Sequence, residues 1–255
     1  MSDVSEWWST NIIEMEPGSI SLRGMPIENL IGNKSFVEMI WLMTTGDQIN
    51  GKKSALLEAA LVAAVDHGPQ APSIAAARMS ATCGVDINNS LATGINVLGD
   101  IHGGAGQQAL ELYVEIKKEG IENIDNVLKK HKDMNGGFIP GFGHRFHKPT
   151  DPRAPRLIEL VNAAADQGEV SGVFSKIACE IEERLSNKKP VPMNIDGATA
   201  VIYAELGCPP PLARGLFCIS RSVGILAHTW EQMQKDERIK GPTPPSYGWK
   251  YKGNE

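Results

Sequence analysis

The chain has 255 residues, of which 42% are hydrophobic and 22% charged, a balance typical of a globular protein with a substantial core. Its net charge is −5, from 25 basic and 30 acidic side chains, and this mild acidity argues against a dedicated nucleic-acid-binding protein. The sequence contains no apolar run of membrane-spanning length, and its N-terminal residues lack the apolar segment of a secretory signal. We therefore expect a cytoplasmic protein.

The four cysteines agree with a reducing compartment. Cys83, Cys179, Cys208 and Cys218 lie among apolar neighbours and show neither CxxC nor CxH spacing. We expect all four to be buried free thiols.

In chain order, the sequence predicts an almost entirely helical protein. Residues 11–22 read as two short extended segments around a Glu-Pro-Gly-Ser turn. Ala-rich apolar stripes with Gly or Pro stops then predict helices at 36–45, 53–66, 72–82, 87–98, 105–119, 121–132, 156–166, 172–185, 198–206 and 212–234. No alternating strands appear, so we predict an all-α fold. The polar tail at 236–255 carries Tyr247, Trp249 and Tyr251, and either disorder or docking on another subunit would explain it.

A glycine- and proline-rich stretch at 136–153, GGFIPGFGHRFHKPTDPR, is the main candidate for a functional loop. Glycines allow the backbone to approach a ligand closely, and prolines restrict the loop. A histidine in such a loop, His144, is a candidate proton donor or acceptor near neutral pH.

Four further polar clusters interrupt the apolar helices, at 66–69 (DHGP), 100–105 (DIHGGA), 194–197 (NIDG) and 220–222 (SRS). Each has an ordinary explanation: Asp196 as a helix N-cap, His67 as a helix C-terminal cap, and Arg221 as the partner of a structural carboxylate. We expect His147 and His228 to be structural and His131 to be solvated. No HxxxH or HExxH spacing supports a metal site.

Taken together, the clusters indicate acid–base chemistry on a carbonyl compound. Two histidines and a carboxylate suit proton transfer, and arginines suit carboxylate recognition by bidentate pairing. Glycine loops suit a phosphate- or adenine-bearing ligand. This combination fits enolisation beside a thioester, with a carbon–carbon bond made or broken.

The sequence resembles the citrate synthase superfamily. GFGHRFHKPTDPR is similar to the family signature G-[FYA]-[GA]-H followed by a basic residue and D-[PS]-R. SLRGMPIENL with SFVEMIWLMTTGD, IHGGA, NID and SRSVGILAH resemble further family elements in the same order, so the resemblance covers nearly the whole chain.

The resemblance implies a role for each matching residue. His102 would stabilise the enol of acetyl-CoA, Asp196 would move the methyl proton, and His144 would serve the oxaloacetate carbonyl. The residues expected to bind the substrate carboxylates and carbonyl are His67, Arg153, Arg221 and Arg238, the last donated by a neighbouring subunit. The backbone of Phe138, Ile139, Pro140, Gly141, Phe142 and Gly143 would meet the adenine of coenzyme A.

The resemblance also implies an architecture and an assembly. We expect an all-α, citrate synthase-like fold, with a large helical domain from residues 1–102 and 196–255 and a small helical domain from 103–195. The active site would lie in the cleft between them. A homodimer or higher homo-oligomer is expected, with coenzyme A as a substrate and no permanently bound cofactor.

Four details favour a citryl-CoA lyase over an ordinary citrate synthase. The chain is short, and DHGP and NIDG resemble the citryl-CoA lyase module of ATP-citrate lyase. The ending SVGILAHTWEQ resembles that module too, whereas His102 stands in a synthase-like IHGGA. The first hypothesis is cleavage of citryl-CoA to acetyl-CoA and oxaloacetate, with citryl-CoA supplied by a separate synthetase. The alternatives are a short citrate synthase acting on oxaloacetate or a related 2-oxo acid, and a non-catalytic CoA-binding subunit.

Overall fold

The computed structural model describes residues 4–144, 146–187, 189–239, 243–244 and 246–253. Part of the tail considered above, and the basic residue that follows His144 in the signature, lie outside the described residues.

Helices make up most of the described chain, which confirms the predicted all-α fold. They are α1 Val4–Trp7, α2 Ile27–Leu30, α3 Phe36–Thr45, α4 Gly51–Ala64, α5 Pro72–Thr82, α6 Ile87–Asn96, α7 Ala105–Glu119, α8 Ile124–Met134, α9 Arg153–Asp166, α10 Val173–Ser186, α11 Ile195–Glu205 and α12 Pro210–Met233. The predicted N-terminal segments form an antiparallel hairpin of β1 Ile13–Glu16 and β2 Ser19–Leu22, with β3 Met25–Pro26 pairing beside β2.

Helix α11 lies at the centre of the molecule and packs against α4, α7, α9 and α10. Its residues from Gly197 to Ala204 are all buried, and several are small, so neighbouring helices approach closely. The hydroxyl of Tyr113 on α7 donates to the carbonyl of Gly197 over 3.2 Å. The main core runs continuously from Ile40 to Leu216, so both predicted domains contribute to it. The division into two domains stays a prediction.

The long helix α12 crosses the C-terminal end of α4 at Gly224. The backbone N–H of Gly224 donates to the carbonyl of Val65 over 3.1 Å. A side chain at this position would collide with that carbonyl, so only glycine permits the crossing. This contact holds α12 against the segment that carries Asp66 and His67.

Two helices begin three residues earlier than predicted, and both changes affect the candidate site. Helix α9 begins at Arg153 instead of 156, and α11 begins at Ile195 instead of 198. The N-cap of α11 is Asn194, whose side chain accepts from the N–H groups of Asp196 and Gly197. The ordinary explanation of Asp196 as the N-cap is therefore wrong, because Asn194 caps this helix. The Asp196 carboxylate is not required for capping.

The prediction that all four cysteines are buried is wrong for two of them. Cys208 is buried and Cys218 partly so, but Cys83 and Cys179 are exposed. All four are free thiols. Over the ranges that the structure describes, the helices lack the combination of length and apolarity required to cross a membrane.

Candidate active site

His102 is held in one tautomer by the start of helix α5. Its segment closes on itself through a hydrogen bond from Gly99 N–H to the carbonyl of His102 at 2.8 Å. The Nε2 atom accepts from the backbone N–H of Ser73 at 3.2 Å and lies 3.0 Å from the Ser73 hydroxyl. Because an accepting ring nitrogen carries no proton, the neutral ring bears its proton on Nδ1. Burial lowers the pKa of His102, as does the nearby charge of Arg221, and both favour the neutral ring.

His144 is held in the opposite tautomer. Its Nδ1 accepts from the backbone N–H groups of Phe146, at 3.1 Å, and His147, at 3.0 Å. The neutral ring therefore carries its proton on Nε2 and presents that N–H as a donor. Burial, His147 and Arg153 lower the pKa of His144, whereas Asp151 acts in the other direction. The two histidines thus offer neutral N–H donors, which suit developing negative charge on a substrate oxygen.

Asp196 lies in the first turn of α11, partly exposed beside the start of α7. Its carboxylate would be 3.9 Å from a Cβ placed on Gly106, an ordinary contact distance, so the start of α7 lies directly beside this group. Burial raises the pKa of Asp196, opposed by the charges of Arg221 and Arg153 and reinforced by that of Asp151. A carboxylate with a raised pKa is better suited to exchanging a proton with carbon.

Arg153 and Asp151 form a planar pair that sequence reasoning did not anticipate. The Nε and Nη2 atoms of Arg153 donate to the two carboxylate oxygens of Asp151 at 2.9 and 2.8 Å. Asp151 is fully buried and also accepts from the N–H of Ile195 at 3.2 Å, so it ties Arg153 to the start of α11. Burial alone would raise the pKa of Asp151, but the hydrogen bonds from Arg153 outweigh it and lower this pKa. The opposite edge of the guanidinium remains directed away from Asp151 and can bind a carboxylate.

Arg221 is a buried cation on α12. Its Nε donates to the carbonyl of Ala64 at 3.1 Å, and its guanidinium lies 4.8 Å from the ring centroid of Phe217. Burial lowers the pKa of Arg221, whereas Asp196 and Asp66 act in the other direction. A carboxylate of a bound substrate would add a partner for this desolvated charge.

These groups converge on His67. The ring centroids of His67 and His144 are 5.8 Å apart. Burial lowers the pKa of His67, and the charges of Arg221, Arg153, His144 and His102 lower it further. The predicted residues that the structure brings together are therefore His67, His102, His144, Arg153, Asp196 and Arg221.

The predicted coenzyme A loop meets the same site through its backbone. Gly141 has φ +87° and accepts from Asn194 N–H at 3.0 Å, while a Cβ there would lie 2.8 Å from Gly197 Cα. The backbone N–H of Gly143 donates to the carbonyl of Pro192 at 2.7 Å, and the carbonyl of Gly143 accepts from the Asn194 side chain at 2.7 Å.

The side chains of the loop differ in exposure. Those of Ile139 and Phe142 are buried, whereas Phe138 is 77% exposed. Contact between this loop and coenzyme A stays a prediction.

The other predicted residues fall outside the cluster. Arg238 is exposed beyond the end of α12 and does not join the cluster within one chain. His228 bonds to Asp66 at 3.1 Å, as a structural histidine would. The expectation of a solvated His131 is wrong, because this ring is buried and lies 2.9 Å from Glu115. Within the described ranges, no group of three His, Cys, Asp or Glu side chains is arranged to hold a metal ion.

Sequence reasoning missed three residues that position the cluster: Ser73, Asp151 and Asn194. The sequence contained a signal for each of them. Ser73 follows a proline that begins a helix, and Asp151 belongs to the D-P-R part of the family signature. Asn194 is a residue type that is strongly preferred as an N-cap.

Known proteins share this arrangement of sequence and fold. A family model described as "Citrate synthase, C-terminal domain" matches residues 43–243. The solved citryl-CoA lyase of Hydrogenobacter thermophilus is similar over 97% of this chain and 95% of its own, with a TM-score of 0.85 and 31% identity. The citrate synthase of Thermoplasma acidophilum, solved with carboxymethyl coenzyme A and oxaloacetate, has a TM-score of 0.68 at 24% identity, covering 88% of this chain and 59% of that one. The latter likeness concerns the fold alone.

Curated citrate synthase sequences are also similar to this chain. A citrate synthase of Haloferax volcanii is 28% identical over 219 residues, which is 84% of this chain and 55% of that protein. The chain spans about half the length of this relative and of a second citrate synthase from Bacillus subtilis. Since the family model covers most of the sequence and a relative of nearly equal length shares its fold, the chain is an enzyme that belongs to the citrate synthase family.

Proposed function

We propose that the protein is a citryl-CoA lyase, which cleaves citryl-CoA to acetyl-CoA and oxaloacetate. The observation that carries this proposal is the likeness to the Hydrogenobacter thermophilus lyase, which extends over nearly the full length of both chains. The DHGP and NIDG segments support the same choice.

The convergent site supports this chemistry through three groups. In the bond-forming direction, Asp196 takes a methyl proton from acetyl-CoA while His102 Nδ1–H stabilises the negative charge that develops on the thioester oxygen. The enol carbon then attacks the carbonyl of oxaloacetate, whose oxygen receives a proton from His144 Nε2. Cleavage follows the same steps in reverse and begins with the mobile proton on Asp196 instead of on His144 Nε2. The citryl hydroxyl gives its proton to that deprotonated Nε2, and the protonated Asp196 gives one to carbon. The raised pKa of Asp196 favours that protonated carboxyl.

Three cationic or polar groups would hold the oxaloacetate part of the substrate. Arg153 presents the guanidinium edge that Asp151 leaves open, and Arg221 is desolvated beside Asp196. The ring centroid of His67 lies 5.8 Å from that of His144, and this proximity supports a role for His67 in binding the same ligand. Coenzyme A then enters as part of the substrate, along the backbone before Gly143.

A second candidate is a short citrate synthase. It is favoured by the synthase-like IHGGA around His102 and by the names of the curated relatives. A synthase must also hydrolyse the citryl thioester. Supplying acetyl-CoA and oxaloacetate and following free thiol tests this candidate, because only hydrolysis releases free coenzyme A in stoichiometric amounts. Sustained thiol release would favour the synthase, whereas its absence supports the lyase.

We also propose a homodimer built on α12. One face of this helix exposes Ile219, Val223, Leu226, Trp230 and Met233, spaced alternately four and three residues apart. Such a stripe is typical of a helix that packs against another helix. Arg238 lies five positions beyond the end of this helix, and in the dimer it would reach the site of the other copy.

The proposal also covers the source of the substrate and the compartment in which the enzyme acts. A separate synthetase would supply citryl-CoA. The free thiols support a reducing cytoplasm as its compartment.

A further inference from the structure

A cleft of about 570 Å³ lies between helices α9 and α10. Its floor is apolar, with Ala154, Ile158 and Met193 among the lining residues. Three acidic side chains also line it: Asp166, Glu159, which pairs with Arg156 at 2.8 Å, and Glu182, which accepts from the backbone N–H of Met193. An apolar floor with an acidic rim fits a ligand that combines a large apolar group with positive charge.

The floor of this cleft is connected to the residues that position the candidate catalytic groups. The N–H of Met193 donates to Glu182 at 3.0 Å, and Met193 pairs with Phe142 in the loop before His144. The next residue, Asn194, caps the helix that carries Asp196. A ligand in the cleft would therefore pack on the segment that joins the loop to α11.

The C-terminal segment of this chain has the complementary chemistry. Tyr247, Trp249 and Tyr251 are 72%, 94% and 83% exposed, and Lys250 and Lys252 alternate with the last two aromatic residues. An indole or phenol ring gains most when such a large apolar surface is buried. The two ammonium groups would then face the acidic rim.

We propose that residues 247–252 of a second copy of this chain dock into the cleft between α9 and α10. The proposal rests on the dimer proposed above, in which Arg238 reaches the site of the other copy. Tyr247 follows Arg238 by nine positions, which an extended chain can span over about 30 Å. The cleft adjoins that site, because Thr150 and Ala154 line it on either side of Asp151 and Arg153. Within its own chain, Trp249 remains exposed and leaves the cleft open.

The native thiol of Cys179 lines the cleft and provides a direct test. A Gly248→Cys variant places a second thiol beside Trp249 and keeps all three aromatic residues. Mild oxidation of the full-length protein should join position 248 to Cys179 of the other copy. A pH of about 8.5 is suitable because neighbouring side chains partly desolvate the exposed Cys179 thiol and raise its pKa. The expected product is a covalent dimer on a non-reducing gel. It should disappear in Gly248→Cys/Cys179→Ser and persist in Gly248→Cys/Cys83→Ser.

Substitutions that reverse single charges test whether the acidic side chains of the cleft attract the lysines of the C-terminal segment. In the Gly248→Cys background, Asp166→Lys should slow formation of the disulfide about five-fold, and adding Lys250→Glu should restore it. Glu183→Lys is the matched control, since Glu183 is exposed on α10 but does not line the cleft. Failure to form the disulfide, or a purely intramolecular one, would overturn the proposal. Because this readout needs no turnover, it is independent of whether the enzyme proves to be a lyase or a synthase.

Discussion

The backbone N–H of Ser73 donates to Nε2 of His102 over 3.2 Å and so places the ring proton on Nδ1. His144 shows the mirror arrangement, with two backbone donors on Nδ1 and the proton on Nε2. Both rings owe their tautomer to main-chain groups, which cannot turn away as side chains can. The site therefore holds two oriented neutral donors before any substrate binds.

His102→Ala should lower kcat by about 10²–10³-fold, because it removes the proposed donor to the thioester oxygen. Ser73→Ala keeps the backbone N–H and should cost far less. Steady-state kinetics of both variants, with circular dichroism as a check of folding, makes the comparison. Equal losses in the two variants would show that the hydroxyl, not the main chain, orients the ring.

Asp196→Asn should lower kcat by about 10²–10⁴-fold while making the protein more stable at neutral pH. Burial raises the pKa of Asp196 above its usual value of 3.8, so the folded protein binds this proton more tightly than the unfolded chain. Its favourable contribution is fully present below pH 3.8 and is lost as pH rises through the folded-state pKa. The amide never ionises and avoids that loss.

Thermal unfolding of wild type and Asp196→Asn at several pH values measures this effect. The gain in Tm of the variant should shrink towards zero as the pH falls to about 4. A variant that is fully active, or one less stable than wild type at neutral pH, would contradict the role and the environment assigned to Asp196.

The rings of His67, His102 and His144 should titrate below the usual pKa of 6.5, because burial and neighbouring positive charges lower all three. Their contribution to stability is thus complete above pH 6.5 and declines as the pH falls towards the folded-state values. NMR titration of the imidazole C–H signals, assigned with single alanine variants, gives the midpoints. A midpoint above 6.5 for His144 would mean a charged ring near neutrality and would contradict the neutral donor.

Val223→Glu should convert the proposed dimer to a monomer, because a carboxylate in the middle of the α12 stripe would be buried without a partner. Val114→Glu is the matched control, since Val114 is an exposed valine on another helix. Light scattering after gel filtration separates the two states. A wild-type monomer, or a Val223→Glu dimer, would contradict assembly through this face.

The sequence was informative where a local signal decides the structure. Ser35 and Glu38 form a full capping box at the start of α3, and the N-terminal turn closes the hairpin as its residues indicate. It was less informative where tertiary contacts decide. The start of α11 at Ile195 depends on the capping amide of Asn194 together with the buried carboxylate of Asp151, more than forty positions away.

The same distinction applies to the site. Residue types and the family resemblance predicted His67, His102, His144, Arg153, Arg221 and Asp196, which the fold brings together. Their tautomers and charges could not be predicted, because these depend on which distant backbone group faces each ring. The exposure of Cys179 and the burial of His131 were also beyond a local pattern, since each follows from packing between helices.

The most direct test of the central claim is the fate of citryl-CoA added to the purified protein, with thioesters and acids quantified by chromatography. His144→Ala provides the blank for spontaneous hydrolysis. The lyase assignment predicts rapid loss of citryl-CoA with acetyl-CoA and oxaloacetate formed in equal amounts and little citrate. Citrate and free coenzyme A as the main enzymatic products would contradict it and identify a synthase.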